Sequence, residues 1–183
     1  KRLAVINKPQ YSVEQIIECA ERLSAKREET EKKPLGGIFI DYMELIKAEK
    51  QQDTEKLRVA HIVNRLRIAS EKLSCPIIVL AQMNRASVDK KSINDRRPSL
   101  EGLRYSGRQE QEATTVLGLF NIGVGKIENS SANETFSSDK KEMQIEVITL
   151  KNRGGESNRI INLSFDMESG YMRDKAETGY NEE

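Results

Sequence analysis

The sequence predicts an α/β fold, a mostly parallel sheet flanked by helices and closed by a C-terminal antiparallel hairpin. Short apolar runs alternate with helical patterns in the first half of the chain, which favours parallel strands joined by crossover helices. Two later runs, MQIEVITLK and RIINLSF, alternate apolar and polar residues as antiparallel strands do. We expect one domain over residues 1–173 and a polar, flexible tail over 174–183.

The first half of the chain contains three strand patterns and two helix patterns. LAVI at 3–6 is an apolar run that ends at a Lys-Pro break, which predicts a strand. The next helix begins after Ser12, with Gln15 as its capping-box partner. GIFIDY predicts a second strand, and a helix from about Thr54 leads to a third, PIIVLAQ at 76–82. Because PIIVLAQ is continuously apolar, we expect a central strand covered on both faces.

The composition limits the classes of function. The net charge of +1 creates no field over the whole molecule, so any nucleic-acid site must be a local basic surface. No apolar run approaches the ~18 residues that span a bilayer, and the first run is too brief for a signal peptide. We therefore expect no membrane association and a cytoplasmic protein.

Cysteine and histidine usage narrows the chemistry. Cys19 lies in a helical pattern and Cys75 just before a strand, so we interpret both as small buried side chains and not as a disulfide or metal site. His61 is the only histidine, which argues against a Ser-His-Asp triad or a zinc site built from several histidines.

Asp41 and Gln82 are polar residues that end two consecutive apolar strands. In parallel sheets, ligands bind outside the carboxyl ends of the strands. Asp41 is compatible with a carboxylate that caps the next turn, or with the Mg²⁺ carboxylate of a nucleotide-binding enzyme. Gln82 is compatible with an internally satisfied amide, or with a group that senses phosphate or orients water.

The segment that follows Gln82 is locally basic. It has an excess of three positive charges, and its basic residues are Arg85, Lys90, Lys91, Arg96, Arg97 and Arg104. A solvated loop or a surface that tracks phosphates explains this excess. Gly107 in LRYSGRQEQ allows the backbone to approach a phosphate closely. Aromatic residues are few here, so recognition by base stacking is not indicated.

Lys151 and Arg153 end the strand pattern VITLKNRGG. Two residues apart in an extended chain, they face the same side, and the following Gly-Gly predicts a tight turn. The pair is compatible with charges that protect a sheet edge. It is equally compatible with cations aimed at a neighbouring subunit's phosphates, an arginine-finger arrangement.

The order of these motifs resembles the C-terminal motor domain of the DnaB family of replicative DNA helicases. The resemblance runs from about Leu3 to Arg173 and rests on IFIDYMELI, PIIVLAQMNR, RRPSLEGLRYSGRQEQEATTVLGLF, ITLKNRGG and LSF. It implies a RecA-like sheet and an ATP- and Mg²⁺-dependent helicase that assembles as a homo-hexamer on single-stranded DNA. It also implies primase and a helicase loader as partners.

The resemblance implies roles for the candidate residues at the nucleotide. Asp41 matches the Walker B carboxylate that acts on Mg²⁺, and Gln82 matches the polar sensor that links nucleotide state to the DNA loops. Lys151 and Arg153 match the pair that reaches across a subunit interface to the γ-phosphate. Arg173 matches a basic residue near the nucleotide.

The resemblance also implies contacts with DNA and shows two departures from the family. Arg85, Arg104 and Gly107 match positions that touch the single-strand backbone, whereas Tyr105 stands where the family has glutamate in LRESG. These 183 residues contain no GxxxxGK[ST] motif and no family-type catalytic glutamate, both of which precede LAVI in the family. We expect the latter part of a motor domain, inactive in ATP hydrolysis alone.

Two alternatives stay open at this point. One is another RecA-like ATPase, of the recombinase or clock type; LRYSGRQEQEA after the basic segment favours the helicase. The other is a non-enzymatic DNA-binding or interaction module that has lost its phosphate loop.

Overall fold

The computed structural model describes residues 3–7, 10–47, 54–84, 96–103, 107, 111–122 and 142–174, whose main elements are two α-helices and six strands. The chain divides into two compact units. The first consists of Lys1–Gln82 and Leu103–Ala113, and the second of Met83–Gly102 and Thr114–Glu183. No described helix combines the length and apolarity needed to cross a membrane.

Helix α1, Val13–Glu31, begins at the predicted capping box. The Ser12 hydroxyl accepts a hydrogen bond from the Gln15 amide at 3.2 Å, and the Gln15 side chain accepts one from the Ser12 amide at 3.0 Å. These two bonds satisfy donors that the first helical turn leaves free. Val13 and Ile17 of this helix are buried and contribute to the core.

Helix α2, Glu55–Lys72, joins two short parallel strands, β1 (Ile38–Ile40) and β2 (Ile77–Val79). Thr54 caps α2 by accepting a hydrogen bond from the Leu57 amide at 3.3 Å. A 3₁₀ turn follows β1 at Met43–Leu45. The buried core of this unit draws on both helices and on the stretch after β1: Val13, Ile17, Met43, Ile46, Ile62, Leu66 and Ala69.

The structure corrects two strand predictions in this unit. Residues 3–7 are exposed and do not form the strand predicted for LAVI. β2 covers only Ile77–Val79, and Ile78 is 45% exposed, so the prediction of a strand covered on both faces is wrong. Among the described strands β2 pairs with β1 only, and one face of this pair packs on the core while Phe39, 76% exposed, lies on the other.

The second unit contains a four-stranded antiparallel sheet in the order β3-β4-β5-β6. Its strands are β3 (Thr115–Asn121), β4 (Glu142–Asn152), β5 (Ile160–Asp166) and β6 (Met172–Asp174). The predicted hairpin of β4 and β5 is confirmed, and β3 and β6 extend it on either side. The register of β3 on β4 shifts after Val116, which marks a β-bulge.

The prediction of an α/β fold is confirmed at this level, with parallel pairing, among the described strands, between β1 and β2. Four stretches lie outside the described residues: the polar stretch 48–53, most of the basic segment (85–95), the Ser- and Asn-rich stretch 123–139, and the tail from 175 onward. Residues 104–106 and 108–110 do as well. The single domain over 1–173 stays a prediction.

The two cysteines and the histidine all lie in the first unit. Cys75 is buried, as predicted, which raises the pKa of its thiol, whereas Cys19 is only half-buried. His61 Nε2 of α2 lies 3.1 Å from Glu14 Oε1 of α1, so the histidine helps to join the two helices.

Candidate functional site

Asp41 and Gln82 follow the carboxyl ends of two paired parallel strands. The register pairs Ile40 with Val79, and beyond it the Leu80 amide donates to the Ile40 carbonyl at 3.0 Å. Asp41 is exposed, and the peptide bond that follows it is cis. Gln82 is also exposed. The two chains thus leave the sheet at the edge where parallel sheets bind ligands.

Glu44 connects these two stretches of chain, which the sequence did not predict. It lies in the 3₁₀ turn just after Asp41, and its Oε1 accepts a hydrogen bond from the Gln82 backbone amide at 3.1 Å. Its Oε2 is buried and has no hydrogen-bond partner among the described atoms. The turn after the candidate metal carboxylate therefore holds the backbone that presents Gln82. An acidic residue within the same DYMEL stretch was the available signal.

Asp41 suits one kind of metal site. The described residues contain no group of three or more His, Cys, Asp or Glu side chains that could enclose a metal. Mg²⁺ keeps several waters and is bound through one or two carboxylates together with substrate phosphates. An exposed aspartate at the carboxyl edge of a parallel pair fits that chemistry, so Asp41 is the residue that could hold Mg²⁺.

Lys151 and Arg153 lie at the end of β4, in the second unit. Lys151 pairs with Val116 and is half-buried. The strand ends at Asn152, so the exposed Arg153 already belongs to the turn, where its amide donates to the Thr114 carbonyl at 3.0 Å. Lys151 is thus held within the sheet, and Arg153 in the turn that follows it. That the two cations act together on a phosphate stays a prediction.

Arg173 lies on the exposed strand β6, near the turn that precedes it. Its guanidinium carbon is 5.8 Å from the centre of the Tyr171 ring. The Ser169 hydroxyl, and then the amides of Glu168 and Ser169, lower the pKa of Asp166 by hydrogen bonding to its carboxylate, and the Arg173 charge adds to this. Arg173 therefore has protein neighbours of its own, and a role at the nucleotide stays a prediction.

The candidate DNA contacts are described only in part. Arg85 and Arg104 lie outside the described residues. Gly107 is exposed and helical, and no described atom lies within 4 Å of a Cβ built on it. The described neighbours therefore do not require glycine at this position. Its contact with a phosphate stays a prediction.

Arg97 has an internal role that the count of basic residues missed. Its Nε and Nη2 donate to Glu146 Oε2 and Oε1 of β4 at 2.7 and 2.8 Å. These hydrogen bonds and the Glu146 charge raise the pKa of Arg97. Its positive charge is therefore balanced within the protein. The available signal was Glu146, a carboxylate two residues before the buried Ile148 and hence on the same face of the strand.

Comparisons with known proteins agree with the geometry. The family model described as "DnaB-like helicase C terminal domain" matches residues 1–174. The chain is 29% identical over 186 residues to the replicative DNA helicase DnaB of Helicobacter pylori strain ATCC 700392 / 26695, covering 87% of this chain and 36% of that protein. It is 31% identical over 129 residues to a probable plasmid replicative DNA helicase of Chlamydia psittaci, covering 70% and 25%.

A solved structure shares the fold. It is described as the structure of a DnaB-like replicative helicase and its interactions with primase, and it matches with a TM-score of 0.69 at 24% identity, over 91% of this chain and 36% of that one. This chain thus spans 36% of the length of both the H. pylori relative and the solved chain. With nearly all of its residues matched by the family model, the chain belongs to the DnaB-like helicase C-terminal domain family.

Proposed function

We propose that residues 1–173 are the latter part of the motor domain of a hexameric replicative DNA helicase, which couples ATP hydrolysis to movement on single-stranded DNA. Membership in the family supports this proposal. The observation that carries it is the position of Asp41 and Gln82 beyond the carboxyl ends of the paired strands β1 and β2. Ligands bind at that edge in parallel sheets.

In this function Asp41 holds Mg²⁺ and Gln82 responds to the phosphates. A bound Mg²⁺ neutralises charge on the phosphates of ATP. The chain's own contribution is to place Asp41 and Gln82. β1 fixes where Asp41 leaves the sheet, and Glu44 fixes the backbone of Gln82 by accepting its amide hydrogen bond. A movement of the phosphates can then reach the segment that follows Gln82 through a short, hydrogen-bonded path.

We also propose that β1 and β2 belong to a larger, RecA-like parallel sheet. Phe39, Ile78 and Leu80 are exposed although they are apolar and lie on or next to these strands. Apolar side chains that cluster on a surface mark a place where another part of the protein packs.

Lys151 and Arg153 would act on a neighbouring subunit. Their position at the end of a sheet strand and in the following exposed turn supports a contact across an interface. Cations that approach the γ-phosphate stabilise the charge that develops during phosphoryl transfer. A site completed by the next subunit requires head-to-tail assembly, which is compatible with the proposed homo-hexamer. Arg173 is proposed to lie near the nucleotide.

Single-stranded DNA is the proposed polymer substrate, contacted by Arg85, Arg104 and Gly107. The basic composition of this segment supports phosphate contacts, and its few aromatic residues argue against base stacking. The solved structure named above concerns a helicase and its interactions with primase. For this chain, primase and a helicase loader are proposed partners.

The parent protein that contains this chain tests the action of Arg153 in trans. Arg153→Ala should lower the rate of ATP hydrolysis by about 1,000-fold or more, the scale of an arginine finger, and change ATP affinity by no more than about twofold. Arg159→Ala, an exposed arginine next to β5, is the matched control and should leave both unchanged. Equal losses of hydrolysis and binding would show that Arg153 does not act from the neighbouring subunit.

Salt dependence tests the DNA contact. Arg85→Ala should weaken binding to oligo-dT and reduce the slope of log affinity against log salt by about 0.7, the value for one phosphate contact on a single strand. An unchanged slope would remove Arg85 from the contact surface.

A further inference from the structure

The part of the basic segment from Asn84 to Pro98 is held at both of its ends within the second unit. At its start, the Asn84 amide donates to the Gly102 carbonyl at 2.9 Å. At its end, Pro98 is buried against Gly118 of β3. A Cβ at Gly118 would lie 2.6 Å from Pro98 Cβ and 3.1 Å from its Cγ, so the ring occupies the space of the absent side chain. Glycine is thus required at this position by the neighbouring proline.

The ion pair of Arg97 and Glu146 fixes the same end of the segment to β4. Glu146 is only 5% exposed, and a buried carboxylate is costly unless it is paired and hydrogen-bonded. Arg97 donates from two nitrogens to the two carboxylate oxygens, a geometry that fixes orientation as well as distance. Residues 49 apart in the chain are therefore held in one arrangement.

Strand β4 connects this ion pair to the candidate trans-acting cations. From Glu146 to Lys151 the strand extends about 17 Å, at the usual rise per residue. As far as Ile148 the strand is paired with β3 on one side and with β5 on the other, whereas Lys151 is paired with β3 alone, beyond a β-bulge. A change in the position of Arg97 would therefore pass to the end of β4 along a strand that stays paired with β3.

We propose, building on the proposed function, that Arg97 and Glu146 are positioning residues that couple DNA binding by the basic segment to the placement of Lys151 and Arg153. In this role neither member of the pair contacts nucleotide or DNA. Pro98 and Gly118 hold the backbone next to Arg97 while the ion pair holds its side chain. The strand end then moves toward or away from the neighbouring subunit's phosphates according to whether DNA occupies the segment.

The test measures ATP hydrolysis by the parent protein with and without oligo-dT. The double variant Arg97→Met with Glu146→Leu replaces the ion pair by apolar side chains, a change that usually keeps or improves stability. Glu146→Gln keeps the shape of the side chain and removes its charge. Both should lower the ratio of DNA-stimulated to basal rate about fivefold to tenfold, with the basal rate unchanged. Arg159→Ala should leave the ratio unchanged.

A second readout separates positioning from direct DNA contact. The salt slope of oligo-dT affinity should be unchanged in the double variant, whereas Arg85→Ala should lower it by about 0.7. A loss of that size in the double variant would show that Arg97 itself binds phosphate and would overturn the proposal. Melting curves identify any variant that is unfolded, and the ratio is then taken from Glu146→Gln.

The remaining outcomes separate a failure of the proposed function from a failure of the coupling role. If the wild-type parent protein hydrolyses ATP without any response to DNA, the proposed function fails and the coupling role fails with it. If the wild type responds and both variants respond equally, the coupling role alone is overturned. A fall of basal and stimulated rates in the same proportion would show a merely structural pair, and would also overturn it.

Discussion

Replacing Gly118 by alanine should destabilise the second unit by crowding two neighbouring side chains. The new Cβ would lie 2.6 Å from Pro98 Cβ and 3.2 Å from Leu150 Cδ1, against an optimal carbon–carbon separation of about 3.5–4.0 Å. Such overpacking costs about 1–3 kcal/mol, and the gain from replacing a strand glycine returns about 0.5–1 kcal/mol. We expect a net loss of about 1–2 kcal/mol in the free energy of unfolding.

A double-mutant cycle isolates the contact with Pro98. Pro98→Gly removes both ring atoms nearest to the new methyl group, so Gly118→Ala should cost about 1 kcal/mol less in that background. Urea unfolding of the purified chain, followed by circular dichroism, measures the four free energies. Gly154→Ala is the matched control, because its Cβ would approach no atom closer than 3.9 Å. If the two substitutions are additive, Pro98 does not occupy the space beside Gly118.

Three further predictions concern stability. Ile62 is fully buried, so Ile62→Ala should lower the free energy of unfolding in urea by about 3 kcal/mol. Ile68→Ala, on the exposed side of α2, should lower it by less than about 1 kcal/mol, and similar losses for the two variants would contradict the core assignment. Ser12→Ala should cost about 1 kcal/mol by removing the helix cap, and an unchanged midpoint would refute the capping role. Hydrogen bonds from the Ser169 hydroxyl and from the amides of its turn lower the pKa of Asp166 below the ordinary value of 3.8. The ionised carboxylate therefore stabilises the fold above pH 3.8, and this stabilisation is lost as the pH falls through the lowered pKa. The stability gap between wild type and Asp166→Asn should therefore be wider at pH 7 than at pH 3, and an equal gap would contradict this.

The helices and the hairpin of β4 and β5 could be predicted because their signals are local. The capping box of Ser12 and Gln15 needs residues three apart, and the apolar stripe of α2 repeats at the helical period. Alternation along β4 likewise depends on the strand's own residues. These patterns depend on residues that are close in the sequence and not on the elements that pack around them.

Burial of the early strands could not be predicted in the same way. PIIVLAQ has the composition of a strand covered on both faces, yet Ile78 is exposed because β2 is covered on one face only. Composition records what a strand can bury, whereas exposure depends on which elements surround it. The exposed apolar face of β1 and β2 is therefore the observation that supports the proposal of a larger sheet.

The candidate site likewise contains features that could be predicted from the sequence and features that could not. The exit of Asp41 and Gln82 at one sheet edge followed from strand order alone. The Glu44 hydrogen bond to Gln82 and the Arg97–Glu146 pair did not, because their partners are 38 and 49 residues apart and meet only through tertiary packing. Arg97 shows the consequence most clearly, since a charge counted toward DNA is balanced by a buried carboxylate.

One measurement tests the central claim, that Asp41 is the metal carboxylate of a DNA-stimulated ATPase. The rate of Mg²⁺-dependent ATP hydrolysis by the parent protein on oligo-dT should fall about 100-fold or more in Asp41→Asn, the scale on which losing one charge-stabilising group lowers kcat. A rate that stays at the wild-type level would contradict the assignment of this edge as the nucleotide site.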